Sequence, residues 1–331
     1  MSLKQQLEST ASRVNNFILS ILEGKPRELY LASSHYIKSG GKRLRPFMVI
    51  KSCEMLGGKI ESALPVAAAV EIIHNFTLVH DDIMDNDEVR HNVPTVHRYY
   101  GLPLAILAGD VLFSKAFQAI AYYGKKAGLP DHIIPQMVAR LSQSCIDVSE
   151  GQALDIDMAS RAKFSTESQY INMISKKTGA LFEVSCELGA LCALAEKTDV
   201  ENLAKFGRSI GIAFQIVDDL IGVAGDPKIT KKPVGNDIRE GKKTLPILLA
   251  IKKAKSDDKD KVLKVFGSKS ATNAELKAAV DVLINIGVDA EVRKMARFYA
   301  SKASDALKSY PASKPKRALE SLADFIVERT L

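Results

Sequence analysis

Residues 71–90, EIIHNFTLVHDDIMDNDEVR, join an apolar helical stretch to a cluster of acidic residues. Asp81 and Asp85 are four residues apart, so they are expected to share one helix face, with Asp82 about a quarter-turn away. Like charges at this spacing repel, and the C-terminal end of a helix carries partial negative charge of its own. The stretch is therefore expected to hold a divalent cation, or else to be a solvated acidic helix end.

A second stretch repeats this design 137 residues later (218 − 81). Residues 214–220, FQIVDDL, put the paired acids Asp218 and Asp219 near the end of an apolar helix, and Gly222 begins a run of glycine and proline that breaks it. Mg²⁺ typically takes one or two carboxylates and completes its coordination with waters and substrate phosphates. Two such helices facing each other would form a site for Mg²⁺ and a diphosphate.

The composition narrows the class of protein. The chain has 331 residues, a net charge of +7 and 46% hydrophobic residues, which suits a globular protein. Its basic residues are scattered and do not alternate with aromatic residues, so small phosphorylated ligands fit better than a nucleic acid. No uninterrupted apolar run approaches the roughly 18 residues of a membrane span, and the start of the chain lacks a secretory signal pattern. We expect a cytoplasmic protein without stable membrane insertion.

Helical periodicity dominates the sequence, and strand-like alternation is hard to find. The prediction is one all-α domain covering residues 1–331, because no shift of composition marks a boundary. Residues 224–240 form a long loop of the kind that often serves as a lid, and residues 255–260 are the predicted flexible linker. The four cysteines form no CxxC pair and are expected to be buried, reduced thiols. Helices are predicted over residues 5–22, 26–38, up to 56, 61–86, 103–126, 130–157, 165–195, 198–223, 242–254, 261–266, 273–286, 288–306 and 312–329.

Several basic residues near the first acidic stretch are candidates for binding an anion. Lys42, Arg43 and Arg45 follow two glycines and precede a helix, which favours an anion but also occurs at ordinary solvated helix starts. His74 lies two turns before Asp81 on the same face, where it is either a ligand or a core histidine. Arg90 either reaches back over the acids or forms a salt bridge with an acidic neighbour.

Residues 177–179 (KTG) interrupt a helix with a polar, kink-prone step. The Thr178 hydroxyl, exposed carbonyls and the amide of Gln215 can face a developing carbocation there, and a plain helix irregularity is the alternative. Lys232 and Lys242 flank the predicted lid, where they can clamp phosphates on closure or remain ordinary surface lysines.

Five motifs, taken together, resemble those of the trans-isoprenyl diphosphate synthase family. The resemblance implies an all-helical multi-helix bundle around a large central cavity, usually in a homodimer. It also implies that an allylic diphosphate (dimethylallyl, geranyl or farnesyl) ionises and that isopentenyl diphosphate attacks the cation. The motifs are GGKRLRP (40–46), HDDIMD (80–85), KKTG (176–179), FQIVDD (214–219) and KKPVGNDIREGKKT (231–244).

The resemblance also implies a role for each matching residue. The Mg²⁺ ligands correspond to Asp81, Asp85 and Asp218, with Asp82 and Asp219 supporting them. The contacts to the allylic diphosphate correspond to Arg90, Lys177, Thr178, Gln215, Lys232 and Lys242. The contacts to isopentenyl diphosphate correspond to Lys42, Arg45, His74 and His91.

Two positions depart from the family pattern. His91 stands where the family has a second arginine, so pH-sensitive binding of isopentenyl diphosphate is a hypothesis. Gly222 stands where the second motif usually ends in an aspartate, so one helper acid is missing. Archaeal members of the family look alike at this position, and inactivity is therefore not inferred.

Phe76 and Thr77 precede Asp81 by five and four residues, where the resemblance puts the floor of the tunnel for the growing chain. A single aromatic residue at Phe76 resembles archaeal members of the family that make geranylgeranyl diphosphate. That compound is the predicted product, and farnesyl diphosphate is the second choice. Two rivals remain: a terpene cyclase, which needs no second diphosphate site, and a non-catalytic regulatory subunit, towards which only His91 and Gly222 point.

Overall fold

The computed structural model describes residues 1–90, 92–225 and 235–328. Two predicted substrate contacts, His91 and Lys232, lie outside the described residues, as does most of the predicted lid. Helices dominate the part of the chain that is described, which confirms the all-α class. The four cysteines are buried free thiols, as predicted.

The described elements are as follows. The helices are α1 (Leu3–Ile21), α2 (Arg27–Ser33), α3 (His35–Lys38), α4 (Leu44–Met55), α5 (Ile60–Met84), α6 (Val96–Tyr100), α7 (Leu102–Gln118), α8 (Ile134–Ser160), α9 (Glu167–Ile174), α10 (Ala180–Cys192), α11 (Lys197–Ala224), α12 (Asn236–Glu240), α13 (Leu245–Lys253), α14 (Ser256–Val265), α15 (Asn273–Asn285), α16 (Val288–Ala306) and α17 (Lys314–Glu328). Two π-helical segments, Ala119–Gly124 and Ser175–Gly179, continue α7 and α9. A short antiparallel hairpin pairs β1 (Val89–Arg90) with β2 (Val93–Pro94).

The chain divides into two compact units, each built from three chain segments. The first acidic motif belongs to the first unit and the second acidic motif to the second. The single domain predicted from the sequence stays a prediction. The first unit comprises Met1–Cys145, Leu181–Ala204 and Tyr310–Leu319, and the second comprises Ile146–Ala180, Lys205–Ser309 and Glu320–Leu331.

Helix α5 is the central helix of the first unit, where it packs against α1, α4 and α7. Its alanines at positions 67–69 are fully buried, and their small side chains let neighbouring helices come close. Because α5 is covered on several sides, its first three turns are apolar around most of the circumference. Half-buried residues such as His74 and Phe76 become frequent only towards its C-terminal end. The acidic cluster follows directly.

The second unit has an apolar core of its own, to which α9, α11, α13 and α15 contribute. Tyr170, Ile216 and Leu249 are completely buried in it. Tyr170 and Ile216 come from α9 and α11, so the core fixes these two helices against each other. This packing brings the Tyr170 hydroxyl to the second acidic motif.

Several predicted boundaries are wrong. The helix predicted over 26–38 is divided at Ser34, and Pro26 precedes α2 in an extended conformation instead of lying in its first turn. The flexible linker predicted at 255–260 is largely helical, since α14 begins at Ser256. Asp257 and Asp258 lie in its first turn, where the helix dipole favours negative charge. The loop predicted over 224–240 contains the short helix α12 near its end.

Two helical segments of the described chain, Ile60–Asp85 and Leu102–Gly124, are long and apolar enough on average to cross a membrane. Neither segment contains a long uninterrupted apolar run, because polar residues are interspersed in both. In the first segment, 67% of the most apolar window is buried inside the protein, as in a core helix, whereas in the second 39% is buried. Length and composition therefore do not by themselves indicate a membrane span here.

Candidate active site

The first acidic motif separates its aspartates by exposure. Helix α5 ends at Met84, and Asp85 caps it with a backbone N–H that donates to the carbonyl of Asp81 at 2.8 Å. The Asp81 side chain is 24% exposed and Asp85 is exposed, whereas Asp82 is completely buried. Asp81 and Asp85 are thus accessible to a ligand from solvent, and Asp82 is not.

Asp82 is held by two side chains from other elements. The buried Tyr36 hydroxyl donates to Oδ2 of Asp82 and accepts a hydrogen bond from the backbone N–H of Val96 at 3.2 Å. Arg90 Nε donates to Oδ1 of Asp82 at 2.5 Å. Burial raises the pKa of the Asp82 carboxyl, while the Arg90 charge and the Tyr36 hydrogen bond oppose that rise. Sequence analysis missed Tyr36.

Arg90 lies among the acids because the hairpin β1–β2 folds back beside the end of α5. Its Nη2 atom is 3.8 Å from Oδ2 of Asp81 and 3.8 Å from Oδ2 of Asp87, besides the bond to Asp82. Glu88 instead pairs with Arg98 at 2.9 Å. Arg90 therefore offsets part of the negative charge at the helix end, and its planar guanidinium suits a phosphate group as well.

The GGKRLRP loop contains two differently placed arginines. Arg43 is buried, has a backbone in the left-handed region (φ 49°) and pairs with the buried Glu71 at 2.9 Å, so its charge is already used inside the protein. Arg45 stacks on the Phe182 ring at 4.4 Å, and its buried Nε has no hydrogen-bond partner. Burial lowers the pKa of Arg45 to about 10, although the Glu71 carboxylate opposes this. Lys42 in the same loop is exposed.

The second acidic motif shows the same division between its two aspartates. Asp218 is exposed, while Asp219 is 7% exposed. Tyr170 donates its hydroxyl hydrogen to Oδ2 of Asp219 at 2.5 Å, and Gln215 Nε2 donates to Oδ1 at 2.7 Å. Burial raises the pKa of Asp219 to about 7, and these two hydrogen bonds oppose the rise. Thr178 in turn donates to Oε1 of Gln215 at 2.7 Å, so one chain of hydrogen bonds joins three predicted residues.

The predicted helix interruption at 177–179 is present as a π-helical turn, Ser175–Gly179. Lys177 Nζ lies 2.6 Å from Oδ2 of Asp155 on α8. A side chain at Gly151 would come within 2.2 Å of the Lys177 backbone nitrogen, so only glycine lets α8 approach this turn. Sequence analysis missed both Gly151 and Asp155. An isolated glycine inside the helical pattern of α8 was the available signal.

The space beside Gly222 is filled by another acid. A Cβ atom at Gly222 would lie 2.1 Å from Oδ2 of Asp237, a buried residue of α12. The missing aspartate of the second motif is therefore matched by a carboxylate from elsewhere in the second unit. Lys242 lies nearby, 4.0 Å from Oδ1 of Asp237 and 2.7 Å from Glu240.

Restoring an acid at this position, Gly222→Asp, is expected to destabilise the protein. The new side chain meets Asp237 sterically, which costs about 1–3 kcal/mol of unfolding free energy, and adds a like charge. The thermal unfolding midpoint should fall, and the double variant Gly222→Asp with Asp237→Gly should recover most of the loss. A single variant at least as stable as the parent would contradict this packing.

The residues present fit a hard divalent cation that arrives with its substrate. Among the described residues, no group of three or more His, Cys, Asp or Glu side chains is spaced to hold a metal ion by itself. The accessible donors are the carboxylates of Asp81, Asp85 and Asp218, the ligand type that Mg²⁺ prefers. Because Mg²⁺ uses one or two carboxylates and completes its shell with phosphate oxygens, the accessible acids of each motif suit a metal diphosphate.

Phe76 belongs to an aromatic group in the first unit. Its ring centroid is 4.7 Å from that of His80 and 5.2 Å from that of Phe113 on α7. Gly109 gives His80 room, since a Cβ there would lie 2.1 Å from Nε2 of His80. Thr77 donates its hydroxyl hydrogen to the carbonyl of His74 at 2.8 Å. Phe76 is thus backed by a second aromatic ring.

An all-α chain with two aspartate pairs and basic residues beside them has the features of an isoprenyl diphosphate synthase. Residues 26–283 match the model of the family described as polyprenyl synthetase. The chain therefore belongs to the polyprenyl synthetase family, and it is an enzyme of the prenyltransferase class, as the motifs predicted.

Named relatives match nearly the whole chain. A geranylgeranyl diphosphate synthase of Sulfolobus acidocaldarius is 44% identical, with 96% of this chain and 95% of the relative covered. A geranylfarnesyl diphosphate synthase of Aeropyrum pernix is 41% identical, covering 96% and 99%. The crystal structure of a geranylgeranyl pyrophosphate synthetase from Pyrococcus horikoshii has a TM-score of 0.92 at 41% identity, covering 99% and 98%.

Proposed function

We propose that the protein condenses isopentenyl diphosphate with allylic diphosphates to make geranylgeranyl diphosphate, with Mg²⁺ as the cofactor. The observation that carries the proposal is the division within each aspartate pair. Asp81 and Asp218 remain accessible, while Asp82 and Asp219 are locked into hydrogen bonds with the protein. The first motif thus offers two accessible carboxylates, Asp81 and Asp85, and the second offers one, Asp218. We propose that these carboxylates bind Mg²⁺ together with the allylic diphosphate.

In the reaction, the bond between the allylic carbon and the diphosphate oxygen breaks, and the allylic carbon bonds to isopentenyl diphosphate, which then loses a proton. When bound, Mg²⁺ neutralises the leaving diphosphate, so the enzyme needs no nucleophile of its own. Arg90 carries positive charge beside Asp81 and Asp82, and Lys177 is a second cation, paired with Asp155; such charges suit diphosphate oxygens. Lys232 and Lys242 are proposed as further contacts of the same group.

Thr178 and Gln215 are proposed to face the allylic cation. Their oxygens present negative dipole ends that are fixed before the reaction, because each side chain is held in the hydrogen-bond chain that ends at Asp219. Preorganised dipoles of this kind stabilise a developing charge without reorganising during the reaction. Exclusion of water then protects the cation from hydration.

Isopentenyl diphosphate is proposed to bind at Lys42, Arg45, His74 and His91. The unpaired, buried Nε of Arg45 supports this site, since an anion would supply the missing acceptor and compensate the desolvated charge. Arg43 does not take part, because its guanidinium is already used by Glu71, Asn15 and the carbonyl of Ile37. A second diphosphate site argues against a terpene cyclase.

Two observations support geranylgeranyl diphosphate as the product. Phe76 supplies an aromatic floor backed by Phe113, and Thr77 leaves room beside it. Relatives that carry the name geranylgeranyl diphosphate synthase cover nearly the whole chain. Farnesyl diphosphate is the shorter alternative, and the relative named geranylfarnesyl diphosphate synthase makes a longer product the other outcome to test.

The direct test incubates the purified chain with Mg²⁺ and dimethylallyl, geranyl or farnesyl diphosphate, with and without isopentenyl diphosphate, and resolves the products by chromatography. We expect geranylgeranyl diphosphate from every primer, only when isopentenyl diphosphate is present, and none after a chelator removes the metal. Hydrocarbon formed without isopentenyl diphosphate would indicate a cyclase. No turnover with any primer would indicate a regulatory subunit.

We further propose a cytoplasmic homodimer in which α7 lies at the contact. Leu102, Ile106 and Leu107 are 43–51% exposed in the single chain, and a contiguous apolar face of this kind marks an association site. Sedimentation equilibrium should give twice the chain mass, and Ile106→Glu should shift it towards the monomer. A monomeric parent protein at micromolar concentration would contradict the dimer. No nucleic-acid or membrane partner is proposed.

A further inference from the structure

The two acidic motifs are held by the same arrangement of atoms. In the first unit, Oδ2 of Asp82 accepts a hydrogen bond from the Tyr36 hydroxyl and Oδ1 accepts one from Arg90 Nε. In the second unit, Oδ2 of Asp219 accepts from the Tyr170 hydroxyl and Oδ1 accepts from Gln215 Nε2. In both cases a buried tyrosine takes one oxygen of the second aspartate, and an N–H donor takes the other.

Both tyrosines are anchored independently of the motifs. Tyr36 is 2% exposed and comes from α3, while Tyr170 is completely buried and comes from α9. They lie 46 and 49 residues from the aspartates that they bind, so tertiary packing and not local helix geometry forms the contacts. A rigid phenol in a packed core fixes the position of its acceptor.

Anchoring the second aspartate of each pair also constrains the first aspartate, because the two are joined by the helix backbone. Asp81 and Asp218 precede the anchored residues directly on α5 and α11, so fixing one carboxylate fixes the rotation and height of that helix turn. Both oxygens of the anchored aspartates accept hydrogen bonds inside the protein, whereas the adjacent carboxylates reach the surface. The two aspartates of each pair therefore differ both in burial and in hydrogen bonding.

We propose that Tyr36 and Tyr170 are matched positioning residues that orient Asp81 and Asp218 for a metal diphosphate by anchoring Asp82 and Asp219. This inference rests on the proposed function and specifies how the accessible aspartate of each motif is positioned. Neither tyrosine touches substrate in this proposal. Each acts through the aspartate beside the accessible one.

The test compares Tyr36→Phe and Tyr170→Phe with the parent protein. Phenylalanine keeps the ring in the core and removes only the hydroxyl. Isothermal titration calorimetry measures the binding of inorganic pyrophosphate in the presence of Mg²⁺. This measurement tests the site without requiring turnover. Loss of an outer-shell partner typically weakens metal affinity or activity about 10–100-fold, and we expect each variant to lose binding in this range.

Tyr310→Phe is the matched control. The Tyr310 hydroxyl donates to a carboxylate oxygen of Asp199 at 2.7 Å, so the chain contains a third tyrosine–aspartate pair, outside both motifs. This control should bind Mg²⁺ and pyrophosphate like the parent even if its melting temperature falls. Motif variants that bind like the Tyr310 variant would overturn the proposal.

A second variant keeps the test decisive if Tyr170→Phe does not fold. Asp219→Asn retains an oxygen for Gln215 and an N–H₂ group that can donate to the Tyr170 hydroxyl, so the anchor survives without its charge. We expect it to lose pyrophosphate affinity, but to bind at least about tenfold more tightly than Asp218→Asn. Loss of binding as large as that of Asp218→Asn would mean that Asp219 itself ligates the metal, and the positioning role would be refuted. A parent protein that binds no pyrophosphate with Mg²⁺ would instead refute the proposed function.

Discussion

Replacing Asp81 or Asp218 with asparagine is expected to lower kcat by about 10²–10³-fold while leaving the fold intact. These carboxylates are accessible, and each stands beside a partner that packing already holds in place. Asparagine keeps the shape but loses the charge that attracts Mg²⁺, and losing one preorganised stabiliser of transition-state charge costs on the order of 10²–10³ in kcat. Steady-state rates with farnesyl and isopentenyl diphosphates measure the effect.

Two exposed acids, one just beyond the end of α5 and one on α11, provide controls. Glu88 follows the first motif and pairs with Arg98, and Glu201 lies on α11 near Lys197. Glu88→Gln and Glu201→Gln should keep rates within about twofold, because exposed ion pairs contribute little. Asp81 and Asp218 variants with rates near these controls would show that the two motifs are not the catalytic centre.

Shortening Phe76 to alanine is expected to lengthen the product. Phe76 lies five residues before Asp81, so about 7.5 Å of helix separates the proposed floor from the diphosphate site. Removing the ring takes away the contact with Phe113, and the space left admits at least one further isoprene unit. Chromatography of products made from farnesyl and isopentenyl diphosphates should show compounds longer than geranylgeranyl diphosphate.

The reciprocal substitution sharpens this test. Thr77→Phe places a second aromatic residue next to Phe76 and should shift the product towards farnesyl diphosphate. Phe298→Ala removes an exposed phenylalanine on α16 and should change nothing. A Phe76→Ala variant with an unchanged product distribution would remove Phe76 from the role of floor.

Local sequence patterns predicted the parts of the site that lie close together in the chain. The spacing of Asp81, Asp82 and Asp85 predicted that the first and third share a helix face; in the structure these two are accessible, whereas Asp82 is buried. Residues 177–179 indicated an interrupted helix, and a π-helical turn is present there. In each case the signal and the structure that it indicates involve residues within about two helix turns of each other.

Contacts made across the fold left no such signal. Tyr36, Tyr170 and Asp237 reach the aspartate motifs from distant segments, and nothing next to them in the sequence marks them as partners. The motif pattern indicates a missing acid at Gly222. It cannot show that the carboxylate of Asp237, on α12, occupies the adjacent space. The acidic run at 255–260 indicated a flexible linker because charge suggests exposure, although the same charges favour the first turn of a helix.

The most direct test of the central claim is a crystal structure of the protein with Mn²⁺ in place of Mg²⁺ and an unreactive allylic thiodiphosphate. Anomalous scattering locates the metal ions independently of the protein atoms. We expect Mn²⁺ ions on Asp81 and Asp85 and on Asp218, each also bound to diphosphate oxygens, with Asp82 and Asp219 still bound to their tyrosines. Metal ions bound at only one motif, or a diphosphate remote from both, would contradict the roles proposed for the two motifs.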